Sequence, residues 1–210
     1  MQISYAIPVC NELVELEKLL SFLVKHIDEN DEIVIQCDKG NTTPEVYKMF
    51  NNGILRKART QVKIIEFPLN GHFSNFKNNL KEYCSGDWIF QIDADELPHE
   101  SLIINLKELL KLNTTTEMLM VPRVNTVKGL TQEHVNKWRW NVNEKGWVNW
   151  PDYQTRIIQN SPKIKWQNKV HEQIVGISTK GALPMEEEWC LYHPKNIKRQ
   201  EAQNAFYDTL

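Results

Sequence analysis

Ser85-Gly86-Asp87-Trp88-Ile89-Phe90-Gln91-Ile92-Asp93-Ala94-Asp95-Glu96 is a turn, a short apolar run and an acidic cluster, in that order. Gly86 closes a preceding helical segment, and Trp88 to Ile92 has the aromatic and β-branched texture of a buried strand. Asp93, Asp95 and Glu96 follow where that strand ends. In open parallel sheets ligands gather beyond the carboxyl ends of the strands, so a buried strand breaking into carboxylates marks both a fold class and a place in it.

The flanking sequence repeats the pattern. Ile3 to Val9 reads as a strand, and Leu13, Leu16, Leu20, Leu23 and Ile27 then recur at helical spacing. Glu32 to Cys37 gives a second strand, followed by the turn Asp38-Lys39-Gly40-Asn41 and a helix start at Thr43-Pro44-Glu45. Val62 to Phe67 is a third strand, Phe73 to Cys84 a helix, and Glu100 to Leu112 a helix with Leu102, Leu106, Leu109 and Leu110 on one face. Four strand-helix units predict an α/β fold with a mainly parallel sheet flanked by helices. After about residue 115 the alternation stops. Met118 to Val121 reads as a strand, Trp138, Trp140, Trp147, Trp150 and Trp166 follow among expected short antiparallel strands and loops, and a final helix runs from about Lys195 to Tyr207. The expectation is a single domain over 1–210, with a ligand-binding half at 1–114 and a smaller, irregular half at 115–210.

Bulk properties narrow the function. A net charge of −2 without a basic run argues against a nucleic-acid partner. No apolar stretch approaches the roughly 20 residues of a membrane span, which leaves peripheral membrane contact open. Met1 leads straight into a strand without the pattern of a secretory signal, so a cytoplasmic location is expected. Cys10, Cys37, Cys84 and Cys190 show no paired-thiol or zinc-ligand spacing and read as reduced, mostly packed residues.

Eight aspartates in 210 residues produce about 0.3 Asp-x-Asp by chance, so context has to supply the weight. Residues two apart in extended backbone face one side, which would direct Asp93 and Asp95 to a common point. Two carboxylates ~5 Å apart repel by roughly 3 kcal/mol at an effective dielectric of ~20, a penalty that a cation reverses. Magnesium or manganese suits such a site, because these ions take one or two carboxylates and complete their shell with phosphate and water. Asn11, Glu12 and Asp38 stand at the ends of the first two strands, so acidic groups recur at the same face. A solvated turn would show the same residues at Asp93 to Glu96 and at Asp38, and Glu12 would equally favour the start of its helix.

Ile7-Pro8-Val9-Cys10-Asn11-Glu12 resembles the opening of family 2 glycosyltransferases, and the 85–96 segment resembles their metal-binding strand. Asn75, Lys77 and Asn78 resemble the helix before that strand. Arg156-Ile157-Ile158 with Lys165-Trp166-Gln167-Asn168-Lys169-Val170-His171-Glu172 is similar to a segment of the bacterial lipopolysaccharide-core branch. The resemblance implies a GT-A (Rossmann-like) fold, a nucleoside-diphosphate sugar donor, a UDP-sugar foremost, and inversion at the anomeric carbon. It implies a divalent metal held by Asp95 and Asp93 with the late residue His193. Pro8, Asn11, Glu12, Asp38, Asn75, Lys77, Asp93, Ala94, Arg156 and His171 would line the donor site. One departure is that the usual acidic pair supplying the base is not obvious, and Val170-His171-Glu172 stands in its place.

The implied reaction needs a neutralised diphosphate and a deprotonated acceptor hydroxyl, which are separate electrostatic and general-base tasks. Glu172 is the candidate base, with His171 the alternative carrier of that role. The tryptophans of the second half offer flat faces for a glycan or lipid-linked glycan acceptor, although core packing is the commoner use of tryptophan. The rival class is a non-catalytic GT-A-like protein that binds nucleotide or glycan. A phosphotransferase would place its Asp-x-Asp near the first strand, and a nucleotidyltransferase would carry a glycine-rich phosphate loop near residues 8 to 14, which is absent.

Overall fold

The structure, a computed structural model, describes residues 1–51 and 53–207 of the 210, without the side chains of 206 and 207. Strands β1 (Ile3–Val9) and β2 (Glu32–Asp38) are buried on both faces, which is why their sequences run apolar without strict alternation. With β3 (Gln61–Phe67) and β4 (Trp88–Gln91) they form a parallel array in which β1 pairs with both β2 and β4. Helices α1 (Leu13–His26), α2 (Pro44–Phe50), α3 (Phe73–Glu82) and α4 (Glu100–Leu112) make the crossovers. Leu16, Leu19, Leu20 and Leu23 of α1 and Leu102, Leu106 and Leu110 of α4 join Ile3, Tyr5 and Phe90 in the larger core. The opposite face carries a smaller core in which Leu80 of α3 meets Ala6, Val34 and Ile89.

After the two-residue strand β5 (Leu97–Pro98) and α4, the chain returns to the same sheet. Strands β6 (Met118–Val121), β8 (Gln154–Gln159) and β11 (Lys180–Ala182) extend it in the order β11-β6-β8-β4-β1-β2-β3, with β8 antiparallel to both β4 and β6. The sheet is therefore mixed and mainly parallel with helices on its faces, the Rossmann-like GT-A arrangement. β7 (Arg123–Lys128) and β12 (Leu191–Asn196) pair in parallel and join β5 in a small second sheet, while β9 (Lys165–Gln167) and β10 (Gln173–Val175) form a separate hairpin.

Three details differ from the sequence expectation. Residues 132–138 form a helix, α5 (Gln132–Trp138), started by a capping box between Thr131 and His134. The last helix, α6 (Ile197–Tyr207), begins only where β12 ends. Gly86 does not cap α3, which ends at Glu82. A Cβ there would lie 2.7 Å from Ser4 N and 2.9 Å from Gln2 O, so glycine permits the start of β4 to close on β1.

Candidate active site

The acidic cluster stands beyond the carboxyl end of β4, and it is a turn. Glu96 N–H donates to Asp93 O at 2.9 Å, and Asp93 N–H donates to the Glu96 carboxylate at 3.1 Å. The alternation expected of extended backbone does not hold here, and the two aspartates meet different partners. Asp93 accepts from Arg156, whose same nitrogen reaches Glu96 Oε1 at 2.6 Å. Arg123 joins Glu96 at 3.0 Å to Asp152 at 2.7 Å. Glu96 has no side-chain exposure and Arg156 only 4%. Burial alone would lift the Asp93 carboxyl, but the charges of Arg156, Lys77 and Arg123 together outweigh it and hold that carboxyl below its ordinary range. Arg156, expected in the donor-site lining, here joins Asp93 to Glu96 across the turn.

Asp95 turns toward β12. Its Oδ2 lies 3.2 Å from His193 Nε2, while His193 Nδ1 lies 2.7 Å from Asn125 Oδ1 on the partner strand β7. Asn125 is held by its own amide, which donates to Asp152 at 2.6 Å. Its oxygen therefore faces the imidazole, and Nδ1 is the protonated donor. Burial works to raise the Asp95 carboxyl, but the His193 hydrogen bond and the charges of His193, Arg199 and Lys195 hold it well below the ordinary range. Burial lowers Lys195, partly offset by Asp95.

Glu12 and Asp38 organise the neighbouring loops. Glu12 Oε2 accepts from the backbone N–H groups of Cys10 and Asn11 at 2.9 and 3.0 Å. The Asp38 carboxylate accepts from Leu69 N–H at 2.9 Å and the Asn41 amide at 3.0 Å. Pro8 is half-buried opposite Gln36 in the β1-β2 pairing, Asn11 is exposed, and Ala94 is packed in the larger core. Asn75 is exposed in the first turn of α3, where its N–H donates to the capping ring of His72.

The second block approaches the same rim from across α3. Asn78 exchanges two 2.8 Å hydrogen bonds with the Trp166 backbone, and Phe73 N–H donates to Lys169 O at 2.9 Å, which seats the 168–172 loop on the start of α3. There Glu172 pairs with Lys77, whose ammonium also lies 4.3 Å from the Trp166 ring centroid. His171 is exposed and left-handed at φ 51°, as is Asn168 at φ 80°, two strained positions in one short loop. Trp166 is buried at the root of this loop, whereas Trp138, Trp140, Trp147 and Trp150 are half-buried and associate in pairs with ring centroids 4.6 and 4.8 Å apart.

Among the described residues no three His, Cys, Asp or Glu side chains converge as a complete metal cage. Asp95 and His193 are the two side chains that would hold a cation completed by other ligands. With Nδ1 turned to Asn125, His193 aims its Nε2 at the Asp95 carboxylate, a pair joined by a proton or, in its place, by a cation. Two protein ligands are what a hard divalent cation takes when phosphate and water supply the rest. Asp93, also expected as a ligand, is paired with Arg156 in this structure. The sequence names Asp95 and His193, which the structure brings together, but not Arg123, Asn125, Asp152 and Arg199 beside them, because no local pattern distinguishes those four from surface residues.

The chain can be compared with known proteins on this basis. It is similar in fold to S. aureus TarS, with a TM-score of 0.63 at 14% identity over 92% of this chain and 37% of that one. TarS 1-349 aligns with a TM-score of 0.59 at 13% identity over 92% and 60% of the two chains, and its complex with UDP-GlcNAc with 0.59 at 12% over 93% and 59%. The chain thus spans no more than about 60% of these structures. Among curated proteins none matches it. The family model described as glycosyl transferase family 2 matches residues 4–173, from the first strand through the acidic turn to the Val170-His171-Glu172 loop, and the chain belongs to that family.

Proposed function

We propose that this chain transfers a sugar from a nucleoside-diphosphate donor to an acceptor hydroxyl, with the donor diphosphate and a divalent cation held at Asp95 and His193. The observation that carries the reading is the Asp95-His193-Asn125 chain of contacts at the rim of the parallel sheet, where a carboxylate and an oriented imidazole nitrogen meet at 3.2 Å. Family membership supports sugar transfer, and the UDP-GlcNAc complex of the similarly folded S. aureus protein supports a UDP-sugar donor. When bound, manganese or magnesium would neutralise the diphosphate leaving group. Asp95 and His193 bind and orient, Arg156 and Arg123 keep the turn rigid, and Glu172 takes the acceptor proton with inversion at the anomeric carbon. Lys77 holds Glu172 in place beforehand. Likeness of the 156–172 segment to the lipopolysaccharide-core branch supports a glycan or lipid-linked glycan acceptor. No described helix is long and apolar enough to cross a membrane. The reaction we propose is cytoplasmic, with peripheral contact to such an acceptor.

The test is thermal stabilisation by UDP with and without manganese, paired with assay of UDP released from UDP-sugars. Ligand at 100 times its dissociation constant adds ~2.7 kcal/mol, a rise of roughly 5 to 11 °C for a chain of this size. Asp95→Asn should abolish the metal-dependent part of that rise and collapse turnover. Metal-independent turnover near the wild-type rate in Asp95→Asn would overturn the assignment.

A further inference from the structure

One guanidinium sits over three carboxylates at this rim. Arg199, in the first turn of α6, places Nη2 3.3 Å from both Asp95 and Glu12, and Nη1 3.1 Å from Glu15. These acids come from two segments that flank the tops of the adjacent strands β1 and β4, so Arg199 bridges the rim at the carboxylate the proposed metal would use. The described side chains of the helix that carries it run from Ile197 to Ala205. None of these side chains is fully buried, and polar contacts tie them down: Arg199 to the three acids, Lys195 to Gln203, Glu201 to His134 at 3.6 Å, and the Arg199 N–H to Asn196 at 2.9 Å. An element attached mainly by solvent-accessible polar contacts opens at lower cost than one seated on a core.

Two charge rules apply to Arg199. A divalent cation arriving at Asp95 repels the guanidinium beside it, and the two phosphates that arrive with a donor attract it, because a guanidinium fork matches phosphate oxygens. Resting on the donor-site reading above, we propose that Arg199 is an exchangeable counter-ion. It bridges Asp95, Glu12 and Glu15 while the rim is free of ligand, opposes metal binding on its own, and transfers its hydrogen bonds to the donor diphosphate when metal and nucleotide arrive together. Metal and nucleotide affinity are thereby coupled through one side chain on α6.

Titration calorimetry on the full chain separates this from a structural role, because the two affinities should move in opposite directions. In Arg199→Gln, Mn²⁺ alone should bind more tightly, by about fivefold to tenfold, while UDP at saturating Mn²⁺ should bind about tenfold more weakly, the scale of one charge-assisted contact. Glu15→Gln, which loosens Arg199 without altering Asp95 or Glu12, should tighten UDP binding and serves if the first variant does not fold. Affinities that fall together in Arg199→Gln, or UDP affinity unmoved in either variant, would overturn the exchange while leaving the donor site standing. Wild-type protein that binds neither Mn²⁺ nor UDP would remove the donor site and the exchange with it.

Discussion

Replacing Arg156 with methionine tests whether the acidic turn is held by its buried arginine. At 2.6 Å and an effective dielectric of ~20, one Arg156-Glu96 contact is worth roughly 6 kcal/mol of attraction. The desolvation of a 4% exposed guanidinium and a fully buried carboxylate cancels most of that gain. Removing Arg156 therefore costs less than the contact itself, but it leaves Glu96 with Arg123 alone at 3.0 Å and Asp93 without its principal cation. Breaking a buried pair costs about 3 to 5 kcal/mol, and since Arg123 remains, the low end applies, about 3 kcal/mol. For a chain of this length that lowers the melting temperature by roughly 6 to 12 °C. Urea unfolding followed by tryptophan fluorescence at pH 7 measures it. The pH dependence has a definite sign. Asp93 has a depressed carboxyl in the folded chain, so the stability it contributes is present above the unfolded aspartate range and is lost as pH falls through the folded value. The gap between wild type and Arg156→Met should accordingly narrow in acid. A loss under ~1 kcal/mol at pH 7, or a loss that is the same at pH 7 and pH 3, would refute the ionic account of the turn.

Gly86→Ala should destabilise by about 2 kcal/mol or more, because the added carbon meets the Ser4 and Gln2 backbone inside 3.0 Å, where no flexible side chain can yield. A melting temperature within 1 °C of wild type would contradict that close approach. Glu32 accepts from Ser4 Oγ at 2.6 Å and from Ser85 N–H and lies 2.8 Å from Lys63. Burial raises its carboxyl, but Lys63, Ser4 and Ser85 together bring it down to about 2. Glu32→Gln should cost about 2 kcal/mol at pH 7, and the deficit should persist down to the usual glutamate range and fade as pH falls toward 2. Equal stability of the two proteins at pH 7 would show that this network contributes nothing.

Much of the architecture was legible because it is written at short range. The leucines of α1 and α4 recur at helical spacing, and β1, β2 and β4 are apolar on both faces, so the strand-helix alternation and a mainly parallel sheet follow from local periodicity. Asp95 was legible as a rim residue for the same reason: it follows a buried strand. The helix α5 was not, because its seven residues contain no fully buried side chain and thus no apolar stripe.

What the chain alone determined is the sheet and the acidic rim above it, since both depend on neighbours within a few residues. Only the tertiary structure decided how that rim is used. It paired Asp93 with Arg156, gave Asp95 to His193 and Arg199, and set Lys77 against Glu172. These partners lie far apart in sequence, and their charges are matched by burial and Coulomb attraction, which carry no periodic trace along the chain. The same distinction explains Gly86, whose small size reads locally as a helix stop and is required by β1, a strand far away in sequence that pairs alongside β4.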